Sequence, residues 1–174
     1  RRHASNVALM VSELVRRHEF GWARQLVDLM AYLAEAPMDG EARIHVLARD
    51  ILDAMASKDN FERMVKALPD LGPREQGHVF HLCQTFRGKA VPVLVGELRG
   101  ELDEPLRANI RTVLEQMAED KAVLDFLRHA MERTNQRPEF YRDFLLVLGA
   151  VRDEASYQLA NTYLGDEVSM VRQA

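Results

Sequence analysis

Apolar side chains recur three and four residues apart along almost the whole chain, which constrains its fold more than any other feature. This spacing places them on one face of an α-helix. No long stretch alternates apolar and polar residues as a half-exposed strand would. The clearest stripes are Leu26, Leu29, Met30 and Leu33; Ile110, Val113, Leu114 and Met117; and Phe140, Phe144, Leu145 and Leu148. The sequence therefore predicts an all-α fold.

Glycine and proline separate the periodic segments, because both residues interrupt helices. Pro92 is the one proline inside such a segment, and we expect it in the first turn of its helix, where a missing N–H costs little. The predicted helices span about 5–19, 22–36, 40–57, 59–68, 73–86, 89–99, 104–118, 120–135, 138–150 and 153–164, with another beginning near 167.

Composition excludes several classes of protein. Of the 174 residues, 47% are hydrophobic and 29% charged, which is typical of a globular protein rather than a disordered one. The net charge of −4 argues against a general nucleic-acid binder, although a local basic patch stays open. Apolar runs such as Val7 to Val11 are too short to cross a membrane. A single cysteine, Cys83, permits no intrachain disulfide and is compatible with the cytoplasm.

A repeat of about two helices runs through the chain. Every second helix carries a polar residue near its start, and a turn with acidic residues, glycine or proline precedes it. The repeat is poorest in its first copy. The aligned positions are Arg43, Gln76, Arg107, Arg142 and Arg172.

The segments "KAVPVLVGELRGELDEPLRANIRTVLEQM", "RPEFYRDFLLVLGAV" and "DEVSMVRQA" resemble HEAT repeats, particularly the short bacterial kind also found in phycobilisome lyases. In that family a first helix leads to an acidic turn, and an apolar–arginine pair opens the second helix. Leu106 and Arg107 match the pair and Asp103 matches the turn. The resemblance is good over about 88–174 and weak over 1–70.

The resemblance implies a right-handed α–α superhelix, a HEAT-like solenoid of about four to five helical hairpins. We expect one domain over residues 1–174, cut inside its last repeat and belonging to a longer protein. An acidic residue at each turn favours the start of the next helix, and an arginine one turn later can reach that carboxylate or a turn carbonyl of the next repeat, forming a ladder. An ordinary exposed ion pair is the alternative for each copy. The predicted turn and ladder residues are Asp103, Arg107, Arg142, Asp166 and Arg172.

The second helices of HEAT-like stacks line a concave surface, so their polar residues are the candidates for contacting a partner. An ordinary solvated surface is the alternative for each of them. These candidates are His45, Arg49, His78, His81, Gln84, Arg111, Thr112 and Glu115.

Sites for chemistry are poorly supported. His78 and His81 are spaced to share a helix face, but no further ligand pair accompanies them, so we expect no metal, no cofactor and no catalytic site. Cys83 lies among apolar residues and is expected to be a buried hydrophobe. Trp22 is expected to pack in the core beneath the first helix; if exposed, it would instead be an interface anchor.

The favoured function is a non-enzymatic, cytoplasmic scaffold or regulatory module that binds a protein partner, or other domains of its own chain, on an extended helical face. Nucleic acid and small molecules are not expected as ligands. One alternative is a HEAT-like lyase or nucleic-acid repair protein, which would need a pigment cleft or a basic concave face. Another is a compact helical sensor domain with a closed apolar pocket.

Overall fold

The computed structural model describes residues 2–35, 42–132, 136–151 and 154–163. Ten α-helices and no strand occur in these ranges, which confirms the all-α prediction. The helices are α1 (Arg2–Arg16), α2 (Phe20–Glu35), α3 (Ala42–Met55), α4 (Lys58–Ala67), α5 (Pro73–Thr85), α6 (Arg87–Leu98), α7 (Glu104–Met117), α8 (Lys121–Met131), α9 (Pro138–Ala150) and α10 (Glu154–Asn161). No helix of the described chain is long and apolar enough to cross a membrane. The predicted helix near 167 lies outside the described residues.

Side-chain caps begin several helices where the sequence predicted a joint. Ser57 Oγ accepts a hydrogen bond from the Asn60 backbone N–H at 3.3 Å at the start of α4. Asp103 caps α7 by accepting from Leu106 N at 3.0 Å, and Asp120 caps α8. These oxygens satisfy N–H groups that have no partner within their helix.

Pro92 lies deeper in its helix than predicted. Because α6 begins at Arg87, two residues before the predicted boundary, Pro92 is the sixth residue of the helix and not part of its first turn. It has no N–H to donate to the carbonyl four residues earlier. Its ring is exposed, while Val91 and Leu94 on either side of it are buried.

The chain divides into two compact units, Arg1–Ala90 and Val91–Ala174. In the first, α1, α2 and α3 pack against one another, with α4 on α1 and α5 mainly on α2. Phe20 and Phe61 are fully buried in this core. In a regular stack of hairpins α5 would lie chiefly against α3, the second helix of the preceding hairpin, so this unit departs from simple repeat packing.

In the second unit α9 is central, because α7, α8 and α10 all contact it. Phe140 and Phe144 on α9 are fully buried and stack with ring centroids 4.3 Å apart. The contact of α7 with α9 joins the second helices of two consecutive predicted hairpins, as a repeat stack requires. The division into two units does not test whether residues 1–174 form a single domain, so that expectation stays a prediction.

The turn between α1 and α2 depends on His18, whose φ of 60° lies in the left-handed region. The Glu19 N–H donates to Leu14 O at 2.8 Å and the His18 N–H donates to Val15 O at 3.1 Å. This pair of bonds is the Schellman motif, in which the left-handed position is usually glycine. Histidine there carries a backbone strain that glycine would not.

Replacing His18 with glycine should therefore stabilise the protein by about 1 kcal/mol, the low end of the cost of a left-handed residue other than glycine. The control is His45→Gly inside α3, which should destabilise by about 0.5 kcal/mol or more because glycine weakens a helix interior. Urea unfolding followed by circular dichroism measures both. A destabilised His18→Gly variant would contradict the strain at this turn.

Candidate functional surfaces

A buried group of charged side chains joins α7 to α9. The Asp143 side chain on α9 has no exposed surface, and only 4% of the Arg107 side chain is exposed. Arg107 Nη1 donates to Asp143 Oδ2 at 2.5 Å, and Arg111 Nη1 donates to Asp143 Oδ1 at 2.6 Å. One carboxylate on α9 therefore binds two arginines that lie one turn apart on α7.

The group extends outward to Glu104, at the start of α7. Glu104 accepts hydrogen bonds from Arg111 Nη2 at 2.9 Å and from Arg142 Nη2 at 2.6 Å. Burial alone would raise the pKa of Glu104, but the two arginines outweigh it and hold the pKa below its usual value. Arg142 also donates to Asp143 at 2.8 Å. Three guanidinium groups thus share two carboxylates, and each carboxylate is bound by at least two of them.

The predicted ladder positions take part in these contacts with different partners from those expected. Asp103 does not pair with Arg107; its carboxylate caps α7 instead. Arg107 Nη2 donates to the turn carbonyl of Gly100 at 2.9 Å, in addition to binding Asp143. Gln76, at the equivalent repeat position, donates to Leu71 O at 3.2 Å and to Leu68 O. The aligned positions of α5 and α7 therefore both bind carbonyls before their own helix. Asp166 and Arg172 lie outside the described residues.

Sequence reasoning missed Asp143, which completes this network. A signal was available, because Asp143 lies three residues after Phe140 and four before Val147, on the buried stripe of α9. An acidic residue on such a stripe requires cationic partners. Two arginines four apart on α7, Arg107 and Arg111, were the candidates for that role.

Two of the predicted partner-binding residues, His78 and His81, contact α2 and are not fully exposed to solvent. His81 Nε2 lies 2.6 Å from Asp28 Oδ1, and His78 Nδ1 lies 3.4 Å from Arg24 Nη1. The backbone of Gly21 also lies close to the His78 ring. Both histidines therefore pack at the contact between α2 and α5, which leaves them only partly accessible to a partner.

The other predicted partner-binding residues are distributed over α3, α5 and α7. Arg49, Gln84 and Thr112 are exposed, whereas His45 and Glu115 are half-buried. Thr112 donates its hydroxyl hydrogen to Ala108 O within its own helix at 3.0 Å. Burial raises the pKa of Glu115 despite the opposing charge of Arg111. Arg111 itself belongs to the buried network, so it is not a free surface residue.

Cys83 is buried with no exposed surface, as predicted, and burial raises the pKa of its thiol to about 12. Within the residues that the structure describes, no group of three histidine, cysteine, aspartate or glutamate side chains is placed to hold a metal ion. His78, His81 and Cys83 do not form such a group, although all three lie on α5.

The prediction for Trp22 was wrong, because 61% of its surface is exposed. Leu29 and Tyr32, seven and ten residues further along α2, are 49% and 64% exposed. This spacing places the three residues along one side of the helix, and we call them the α2 apolar face. Ala23 and Val27 of the same helix are buried. The helix therefore has apolar residues both in the core and in solvent.

Neither a protein-family model nor a curated protein sequence matches this chain.

The raised pKa of Cys83 predicts a thiol that reacts only after unfolding. In the native protein at pH 8, Ellman's reagent should label Cys83 no faster than the chain opens, because the thiolate is both scarce and buried. Labelling of the native protein by Ellman's reagent at the rate of a free thiol would contradict this burial.

The same pKa shift predicts that stability depends on pH. Between pH 9.0, the ordinary pKa of the thiol, and about 12, the unfolded thiol loses its proton while the folded one keeps it. The free energy of unfolding should therefore fall as the pH rises through this range.

Proposed function

We propose that this chain is a non-enzymatic protein-interaction module of the HEAT-like kind, acting in the cytoplasm as a scaffold or regulatory element. In this proposal its hairpins form a right-handed α–α solenoid, and a protein partner binds along an extended helical face. The repeat of arginine and glutamine positions supports the HEAT-like assignment, as does the packing of α7 on α9 through Arg107 and Asp143.

The α2 apolar face is the observation that carries the interaction function. Trp22, Leu29 and Tyr32 are large apolar side chains exposed along one side of a helix that is otherwise anchored in a core. Grouped exposed apolar residues mark interaction sites, whereas scattered ones are ordinary. Tryptophan and tyrosine are also the residues that most often dominate the binding energy of protein interfaces.

The polar residues first considered for partner contact have a different role in this proposal. His78 and His81 position α5 against α2 through Arg24 and Asp28. Removing either histidine would change the packing of α5 against α2, and would therefore affect the α2 apolar face only indirectly. Arg49 and Gln84 are exposed on α3 and α5, the two helices that pack against α2 most, and are candidates for the polar rim of the interface.

A peptide-display selection against the native chain tests this proposal. Trp22 is the sole tryptophan, so its fluorescence reports directly on the α2 apolar face. Titrating a selected peptide should shift the Trp22 emission to shorter wavelength, as the indole leaves water. In Tyr32→Ser, binding followed by anisotropy of a labelled peptide should weaken by about tenfold or more, as expected for an interface hot spot.

The matched control is Tyr157→Ser, because Tyr157 on α10 is 65% exposed and lies in the other unit. This variant should bind the peptide as well as the native chain does. The proposal fails if the selection yields no peptide that binds, or if binding survives both Trp22→Ser and Tyr32→Ser.

A further inference from the structure

A cleft of about 270 Å³ lies within the first unit, between the end of α1 and α4 with the turn that follows it. Three cationic side chains line it: Arg16 from α1 and Arg63 and Lys66 from α4. His18 and the carboxylate of Asp70 line it as well. Arg63 and Lys66 are three residues apart, so one side of α4 presents both charges to the cleft.

The floor of the cleft is apolar. Val15 and Ala67 contribute to its lining and are 1% and 4% exposed. A wall of low polarity strengthens the field of nearby charges, because less water screens them. The arginine and lysine groups of this cleft therefore attract an anion more strongly than the same groups would on a flat surface.

Exposed carboxylates on the same two helices bind the two arginines. Arg16 donates to both oxygens of Glu13, and Arg63 Nε donates to Asp59 at 2.8 Å. The hydrogen bond from Arg63 to Asp59 raises the pKa of Arg63, whereas the nearby charge of Arg16 opposes that rise. The two guanidinium groups are thus close enough to repel each other, and an anion between them would relieve this repulsion.

Lys66 is the least satisfied of the cations. Among the described residues no hydrogen bond reaches its Nζ, although the charge of Asp59 acts on it at longer range. Its three N–H donors are therefore available to a ligand. His18 adds an imidazole from the left-handed turn position, where glycine would be easier to accommodate.

We infer that this cleft binds a phosphate monoester group, held by Arg16, Arg63 and Lys66 with His18 at its edge. A monoester carries about −1.5 to −2 charge and three terminal oxygens at pH 7, which suits three cationic donors. A diester carries one charge and fewer free oxygens, so it uses this set less fully. Asp70 is placed to accept a hydrogen bond from an O–H or N–H group of the molecule that bears the phosphate. This inference is independent of the proposed partner surface on α2.

Isothermal titration at low salt tests the inference with inorganic phosphate, phosphoserine, a phosphoserine peptide, its unphosphorylated form and a single-stranded oligonucleotide. The native chain should bind the phosphorylated probes saturably and the unphosphorylated peptide not at all. Arg63→Gln combined with Lys66→Gln should weaken that binding by about tenfold or more, because charge-assisted hydrogen bonds are the strong ones. Asp70→Asn should tighten it, because a like charge leaves the cleft.

Lys58→Gln is the control for the loss of a positive charge on the same helix, as in each of the two substitutions, because Lys58 pairs with Glu62 and does not line the cleft. It should bind as the native chain does. Tighter binding of the peptide than of phosphoserine identifies a phosphorylated segment as the source of the monoester, and equal binding identifies a free small phosphate; both support the inference. Absence of saturable binding, an equal loss in Lys58→Gln, or tighter binding of a single-stranded oligonucleotide would overturn it.

Discussion

The carboxylate of Asp143 is the group on which the second unit depends most. Its side chain is fully enclosed, and the free energy lost by removing it from water is recovered through Arg107, Arg111 and Arg142. Such a network adds little net stability compared with an apolar core. Removing one member is nevertheless costly, because the charges that stay buried lose a partner. The network therefore fixes which turn of α7 meets which turn of α9, as polar groups fix register in coiled coils.

The first unit is organised differently. Its core is mainly apolar, around Phe20 and Phe61, with Asn60 as a buried polar residue, and the polar contacts between α2 and α5 lie near its surface. Apolar packing is less selective about register than a buried ion pair. The repeat pattern is also weaker over 1–70. Val46, Val79 and Ile110 each lie three residues after an aligned repeat position, and Val46 is exposed whereas the other two are buried.

Much of the fold could be predicted from local sequence, and much of the functional surface could not. Helix boundaries could be predicted from glycine, proline and the acidic turn at Asp103, because these features act within about one turn of chain. Trp22 was wrongly assigned to the core. Its exposure depends on where α1 and α5 pack against α2, and the sequence around Trp22 does not show this. Asp143 was missed for a related reason: its partners lie 36 and 32 residues earlier in the chain.

The coupling between Arg107 and Asp143 is the most direct test of this account. A double-mutant cycle of Arg107→Gln, Asp143→Asn and the double variant measures it by urea unfolding, followed by circular dichroism because Trp22 reports on the other unit. Arg107→Gln removes one of the three arginines that bind the buried Asp143, and Asp143→Asn leaves the buried Arg107 without its carboxylate, so each single variant should cost about 3 kcal/mol. The double variant should cost less than the sum of the two by about 1–2 kcal/mol. Costs that simply add would show that the two charges do not stabilise each other. That result would contradict the claim that this ion pair fixes the register of α7 on α9.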